Sequence, residues 1–179
     1  MVNTAIIYQS KYGSTEKYAK WLYEEIGGDL YKKSDVSIND LKKYDTIIYG
    51  GGLYITGIAG FSFIKNNYKY LEDKKIIVFA VGASPFDTGI IFEIKGNNFP
   101  NEMKYIPCFY FRGAFDDRKI KSGDKILILL LKKLISKKNE LDYEDWEKAF
   151  IESTEDSQDW TCKEYLKPLV EYINQNYKE

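Results

Sequence analysis

The sequence predicts an α/β fold, a three-layer doubly wound sandwich around a five-stranded parallel sheet. Five short apolar runs are continuous rather than alternating, as expected for strands that are buried on both faces. Segments with helical spacing separate most of these runs, and right-handed crossovers then place helices on both faces of the sheet. The chain of 179 residues favours a single domain over 1–179, with an insert at about 116–158.

The predicted elements follow from apolar runs and from the turn residues that bound them. The predicted strands are 2–8, 30–32, 46–49, 75–81 and 105–111. The predicted helices are 15–26 with Ala19, Leu22, Tyr23 and Ile26 inward, 58–70 with Ala59, Phe63 and the following Leu71 inward, 90–95, and 160–177 with Cys162, Leu166, Leu169, Val170 and Ile173 inward. A short helical turn is expected at 37–40. Gly27 and Gly28 should end the first helix, and Pro168 should kink or restart the last one.

Composition excludes several classes of function. The chain has no His, which removes Ser-His-Asp triads, Cys-His pairs and His-ligated zinc. Its net charge of -1 and pI of about 5.7 argue against a nucleic-acid partner. Cys108 and Cys162 form no C-x-x-C motif and are expected to be buried free thiols. Redox chemistry therefore has to come from a bound cofactor or from cysteine.

The apolar runs are too short for a transmembrane segment, which needs about 20 residues. The N-terminus has no basic residue before its apolar run, so it does not resemble a signal peptide. A cytoplasmic location is the expectation that follows.

The strongest functional signal is the segment between the first strand and the first helix. It offers hydroxyl groups and backbone N–H groups at a helix N-terminus, where a phosphate is favoured. The predicted phosphate-binding residues are Ser10, Lys11, Tyr12, Gly13, Ser14 and Thr15. The segment lacks both the P-loop pattern and G-x-G-x-x-G, so neither an NTPase site nor a dinucleotide fingerprint is present. A polar turn with a helix cap is the structural alternative.

Two further segments follow the third and fourth predicted strands, at the same edge of the sheet. Glycines after the third strand permit a backbone that lies against a flat ring, and an aromatic side chain could stack on it. The predicted residues there are Gly51, Gly52, Leu53 and Tyr54. The segment after the fourth strand offers small residues and another aromatic ring, and its predicted residues are Gly82, Ala83, Ser84, Pro85 and Phe86.

These segments resemble the flavin-binding loops of flavodoxins. Residues 10–15 resemble the phosphate loop T-x-T-G-x-T, although Tyr12 replaces a small hydroxyl residue, and 50–54 resemble the first isoalloxazine loop. Residues 82–87 stand where flavodoxins carry G-x-G-D. The chain is most similar to the flavodoxin-domain group that includes menaquinone-dependent protoporphyrinogen dehydrogenase. The segment 111–115, the basic insert and the C-terminal helix carry that similarity.

The resemblance implies a flavodoxin-like sheet of order 2-1-3-4-5, one non-covalent FMN and no metal. It also implies that a backbone carbonyl of Gly51 or Gly52 accepts a hydrogen bond from the reduced flavin. No catalytic acid or base is evident. Three functions stay open: an FMN oxidoreductase acting between an organic substrate and a quinone or other acceptor, a protein-to-protein electron carrier, and a flavin-free interaction module. The expected partners are a redox protein, a quinone or a small substrate near the flavin edge.

The insert contains a basic segment, 118–138, followed by an acidic one, 140–159. The aliphatic run 126–131 is longer than one helix face needs, so some of its side chains must meet another surface. Three surfaces stay open: packing within the domain, a homodimer, or a lipid headgroup layer.

Overall fold

A computed structural model describes residues 3–54, 57–116, 122–144, 147–148, 150–151 and 157–176. Five parallel strands form the central sheet: β1 (Thr4–Gln9), β2 (Asp29–Lys32), β3 (Thr46–Tyr54), β5 (Lys75–Gly82) and β6 (Cys108–Arg112). Their order is β2-β1-β3-β5-β6, with a short antiparallel strand, β4 (Gly57–Ile58), paired to β3. Counting the parallel strands alone, this is the predicted order 2-1-3-4-5, and the α/β flavodoxin-like fold is confirmed.

Helices cover both faces of the sheet. They are α1 (Ser14–Ile26), α2 (Ser62–Lys65), α3 (Ile90–Asn98), α4 (Ser122–Ile135) and α5 (Lys167–Asn176). Short 3-10 turns lie at Lys33–Asp35, Asn39–Lys43, Tyr68–Tyr70, Asn101–Met103, Glu140–Asp142 and Lys163–Leu166. A second small sheet pairs β7 (Ala114–Phe115) with β8 (Gln158–Asp159) in antiparallel fashion. This pairing joins the beginning and the end of the insert.

Two hydrophobic clusters fill the space between the layers. One lies beneath α1 and α5 and includes Tyr18, Leu22 and Leu169. The other lies on the opposite face and includes Phe61 and Ile94. Strand residues alternate between the two clusters, which explains why the strand sequences read as continuous apolar runs.

The third strand is longer than predicted. It runs on through the three glycines to Tyr54 instead of ending at Tyr49. Gly51 pairs with Gln9 on one side and with Ala80 on the other. A Cβ on Gly50 would lie 2.0 Å from Cζ of Phe79, so the glycines make room for packing within the sheet rather than forming a loop.

The predicted helix 58–70 is wrong in length and in its inner face. Residues 57–58 form β4, α2 has only four residues, and Tyr68–Tyr70 is a separate 3-10 turn. Phe61 and Ile64 are buried there and Leu71 is buried as predicted, whereas Ala59 and Phe63 are only partly buried. Gly60 has a positive φ of 69°, which ends the extended segment before α2. The helical spacing of the apolar residues gives no sign of this break.

Other elements differ less from the sequence predictions. The fifth parallel strand begins at Cys108 rather than at 105, and the short turn expected at 37–40 is a 3-10 turn at Asn39–Lys43. In α1, Tyr23 is 44% exposed and Tyr18 takes the inner position. Gly27 ends α1 with a positive φ of 71°, as expected.

The C-terminal helix begins at Lys167, next to Pro168, where the sequence predicts a kink or a restart. A 3-10 turn, Lys163–Leu166, precedes α5, and proline lies in the first turn of the helix, where its missing N–H costs no intrahelical bond. Cys162 is exposed rather than buried, which corrects the prediction for that thiol, whereas Cys108 is partly buried. Both are free.

The aliphatic run of the insert lies in α4. Leu129 is 64% exposed and Leu130 is 54% exposed, while Ile135 near the helix end is buried. The prediction that these residues cannot all face one core is confirmed for the side chains that the structure describes. Arg118 and Lys119 lie outside the described residues. In the described parts of the chain, no helix is long and apolar enough to cross a bilayer.

Candidate functional site

The carboxyl ends of β1, β3 and β5 meet at one edge of the sheet, and α1 begins there. Gly13 precedes α1 with a φ of 102°, a left-handed conformation that favours glycine. Its N–H donates to Oγ of Ser10 at 3.0 Å, which closes the turn between β1 and α1. A Cβ on Gly13 would meet no atom within 4 Å, so the loop is open at this point.

The first turn of α1 offers unused donors. The backbone N–H groups of Ser14, Thr15 and Glu16 have no acceptor among the described residues. Three neighbouring donors at the positive end of a helix form an anion-binding arrangement. The loop therefore fits a phosphate group through its backbone.

The hydroxyls of this loop do not play equal parts. Ser14 Oγ accepts a hydrogen bond from the N–H of Ala114 at 3.1 Å, so it ties the loop to the segment after β6. Thr15 is buried at 3% exposure, and the Ser10 hydroxyl holds the turn. The Ser10 and Ser14 oxygens accept these bonds, so both hydroxyls help to shape the loop while their O–H groups can still donate to a ligand.

The Gly51 and Gly52 backbone differs from the expected flavin loop. Gly51 lies within the β-ladder, and the Gly52 carbonyl accepts a hydrogen bond from the Ala59 N–H at 2.8 Å. The Gly52 oxygen already has this partner, so its expected bond to a reduced flavin would have to use the second lone pair of that oxygen. At Gly51, turning the peptide group so that its carbonyl faces the flavin would disrupt the pairing of β3 with β1 and β5.

Aromatic side chains gather beyond the end of β3. The rings of Tyr12 and Tyr54 meet edge to face with centroids 6.1 Å apart. Lys11 Nζ lies 5.4 Å from the Tyr12 centroid and 5.8 Å from that of Tyr54. Leu53, the preceding residue, is partly buried and packs against the hydrophobic cluster that includes Phe61 and Ile94. The structure thus brings the phosphate loop and the end of β3 together, as the sequence predicts.

The segment after β5 is fixed from two sides. The Tyr110 hydroxyl donates to the Ser84 carbonyl at 2.7 Å, and a Cβ on Gly82 would lie 2.8 Å from that hydroxyl. Asp87 Oδ1 accepts from the N–H of Ile90 at 2.9 Å and caps α3. Between these anchors, Pro85 and Phe86 are exposed, and Phe86 is 61% exposed.

Sequence reasoning missed two residues at this edge. The guanidinium carbon of Arg112, at the end of β6, lies 4.1 Å from the centroid of the Trp160 ring. Arg112 Nε donates to the carbonyl of Ala83 at 3.1 Å. Only the three-dimensional pairing of β7 with β8 brings Trp160 here, so no local sequence signal could have revealed the contact.

Burial keeps three titratable side chains of the described structure, those of Tyr18, Tyr110 and Cys108, neutral at neutral pH. Burial raises the pKa of the Tyr18 hydroxyl, which donates to the Arg112 carbonyl, and burial likewise raises the pKa of Tyr110. Burial also raises the pKa of the Cys108 thiol to about 12. Among the described residues, no group of three or more Cys, Asp or Glu side chains could hold a metal ion.

A curated protein, the uncharacterized protein MJ0298 of Methanocaldococcus jannaschii, is 31% identical over 87 residues, which cover 45% of this chain and 55% of that protein. The match thus spans about half the length of that relative.

Two solved structures are similar in fold. One is the WrbA-like flavodoxin from Agrobacterium tumefaciens, with a TM-score of 0.44 and 21% identity, covering 69% of this chain and 88% of that one. The other is a flavoprotein in complex with FMN from Lactobacillus acidophilus, with a TM-score of 0.40 and 15% identity, covering 63% of this chain and 93% of that one.

The family comparison covers most of the chain. The family model described as "Flavodoxin domain" matches residues 5–142, which include the candidate phosphate loop and the whole central sheet except Thr4. The chain therefore belongs to the flavodoxin domain family.

Proposed function

We propose that this protein binds one FMN at the carboxyl edge of its sheet and acts as an oxidoreductase. The observation that carries the proposal is the row of N–H donors on Ser14, Thr15 and Glu16, which have no acceptor in the described part of the chain. One phosphate monoester matches this site, and membership of the flavodoxin domain family favours FMN as its source.

The remaining predicted residues have distinct parts in the proposed site. Ser10, Gly13 and Ser14 hold the loop in shape, and Lys11 adds a positive charge near the phosphate. Tyr54 is the first choice for stacking on the flavin ring, with Phe86 as the second. When bound, the cofactor supplies the electron-transfer chemistry, and the protein controls its potential and its exposure.

An enzyme fits better than a dedicated electron carrier. Carriers of this type are typically strongly acidic, whereas this chain has a net charge of -1. A near-neutral surface gives little long-range steering toward a charged protein partner. The proposed reaction partners are therefore a reduced organic substrate and a quinone or similar acceptor.

The cofactor is tested first, by the absorption spectrum of the purified protein and by chromatography of the ligand that heat releases. FMN is expected, and FAD would contradict the proposal. Anaerobic incubation of the loaded protein with protoporphyrinogen and menadione then tests the enzyme. Turnover supports an oxidoreductase, whereas exchange of electrons with protein partners alone would favour a carrier.

A further inference from the structure

Arg112 is held rigidly beside the segment that follows β5. Its guanidinium carbon lies 4.1 Å from the Trp160 ring centroid, well within the range of a cation–π contact. Its Nε donates to the Ala83 carbonyl at 3.1 Å. The stacked ring and this hydrogen bond together fix the plane of the guanidinium group.

Most of the donors of Arg112 have no acceptor within the described ranges of the chain. A guanidinium group carries five N–H bonds, and only the Nε–H has an acceptor among the residues that the structure describes. Arg112 is only partly exposed, so water does not surround it fully. Four donors in a fixed plane are suited to a ligand with neighbouring oxygen or nitrogen acceptors.

Trp160 is itself anchored to the candidate site. Its backbone N–H donates to the Gly113 carbonyl at 3.1 Å, and the backbone N–H of Gly113 donates to the Gly82 carbonyl at 2.7 Å. The next residues are tied to α1, since the Cys162 N–H donates to the Tyr18 hydroxyl at 3.1 Å. Segment 158–162 is thus a built part of this edge rather than a loose tail.

We propose that Arg112 is a flavin-binding residue, positioned by Trp160, that donates hydrogen bonds to the pyrimidine edge of the flavin ring. This inference rests on the proposed FMN function. The pyrimidine edge presents carbonyl and ring-nitrogen acceptors, and it carries the negative charge of the anionic reduced flavin. A fixed cation there favours the reduced form over the oxidised form and so raises the reduction potential.

The test compares Arg112→Gln, Arg112→Lys and Trp160→Leu with the unmodified protein. Each apoprotein is titrated with FMN and with riboflavin, and the midpoint potential of the loaded protein is measured. Arg112→Gln should weaken FMN and riboflavin equally, by about tenfold, since the lost bonds are to the ring. It should also lower the two-electron potential by about 30 mV, which corresponds to a further tenfold loss of affinity for the reduced flavin.

The other two variants separate charge from position. Arg112→Lys keeps the positive charge but loses the planar fork, so affinity should fall while the potential changes less. Trp160→Leu keeps Arg112 but removes the ring that supports it. Flavin affinity and midpoint potential should therefore both fall, each by less than in Arg112→Gln. If Arg112→Gln does not fold, these two variants answer the question by the same readouts.

Lys163→Gln is the matched control. It removes an exposed ion pair of 2.9 Å with Glu24, which also joins the C-terminal segment to α1. Affinity and potential should stay unchanged in this variant. A protein that binds no flavin at all would refute the proposed function itself. Flavin binding by the unmodified protein, with unchanged affinity and potential in Arg112→Gln or with losses for FMN alone, would overturn the role of Arg112 and leave the function standing.

Discussion

The hydroxyl of Ser14 accepts a hydrogen bond of 3.1 Å from the backbone N–H of Ala114. Ser14 is the first residue of α1, and Ala114 is the first residue of β7, the short strand just before the insert. Gly113 makes this contact possible, because a Cβ there would lie 2.9 Å from Val81 and 3.3 Å from Ser14. The phosphate loop is thereby supported by a segment distant in sequence.

Ser14→Ala should reduce stability. It leaves a partly buried N–H without its acceptor, at a cost of about 1–3 kcal/mol in the free energy of unfolding. Urea denaturation measures this. Ser136→Ala is the control, because Ser136 is exposed and donates only to a carbonyl at the end of α4. Equal stability for Ser14→Ala and the unmodified protein would show that the contact does not support the loop.

Ser10→Ala and Thr15→Ala should weaken FMN more than riboflavin. Each hydroxyl is a proposed donor to the doubly charged phosphate, and a hydrogen bond to a charged group contributes about 1.5–3 kcal/mol, or roughly 10- to 150-fold in affinity. Fluorescence titration of the apoproteins with both ligands measures the difference. Ser62→Ala, an exposed change on α2, should alter neither affinity. Equal losses for FMN and riboflavin would exclude a phosphate-specific role.

Gly50→Ala should destabilise the sheet. Its new methyl group would lie 2.0 Å from the Phe79 ring, and overpacking of this kind costs about 1–3 kcal/mol. Adding Phe79→Leu should recover part of the loss. Gly96→Ala in α3 is the opposite case, since its Cβ meets nothing within 4 Å and stability should rise by about 0.5–1 kcal/mol. Thermal unfolding that shows no difference between the two alanine variants would be inconsistent with this packing.

Tyr54→Leu should increase the fluorescence of bound flavin. An aromatic ring stacked on the flavin quenches its emission, and Tyr54 lies beside the phosphate loop and against Tyr12. Phe86→Leu tests the second candidate, which is exposed in this structure. Strong quenching that survives both changes would mean that neither ring stacks on the cofactor.

Acid should loosen the C-terminal segment. Burial disfavours the charged form of Asp159, but hydrogen bonds from Thr161 and Lys17 outweigh it, so the pKa lies below the ordinary value of 3.8. A lowered pKa means that this carboxylate stabilises the fold above the ordinary pKa and loses its effect as pH falls through the folded value. Urea midpoints of the unmodified protein and Asp159→Asn should therefore differ near neutral pH and converge in acid. A constant difference would rule out this carboxylate as the cause.

The parallel sheet could be predicted because its signals are local. Each strand is an apolar run, and glycine pairs such as Gly27-Gly28 mark the ends of helices. The extension of β3 through Gly50–Gly52 could not be predicted in this way. Three glycines are typical of a loop, and only the Phe79 ring of the neighbouring strand explains them as strand residues.

The candidate site was predictable to a similar degree. The sequence places the phosphate loop, because a helix N-terminus and its hydroxyl residues are adjacent in the chain. It does not reveal that Ser14 bonds to Ala114, or that Trp160 stacks on Arg112. Those contacts depend on the pairing of β7 with β8, and antiparallel strands of two residues leave no pattern in the sequence.

Stoichiometric titration of the apoprotein with FMN, beside riboflavin and FAD, tests the proposed cofactor site most directly. Quenching of flavin fluorescence should end at one FMN per chain, and riboflavin should bind more weakly because it lacks the phosphate that the first turn of α1 is built to hold. FAD in preference to FMN, equal affinity for riboflavin, or no binding at excess FMN would contradict the proposal.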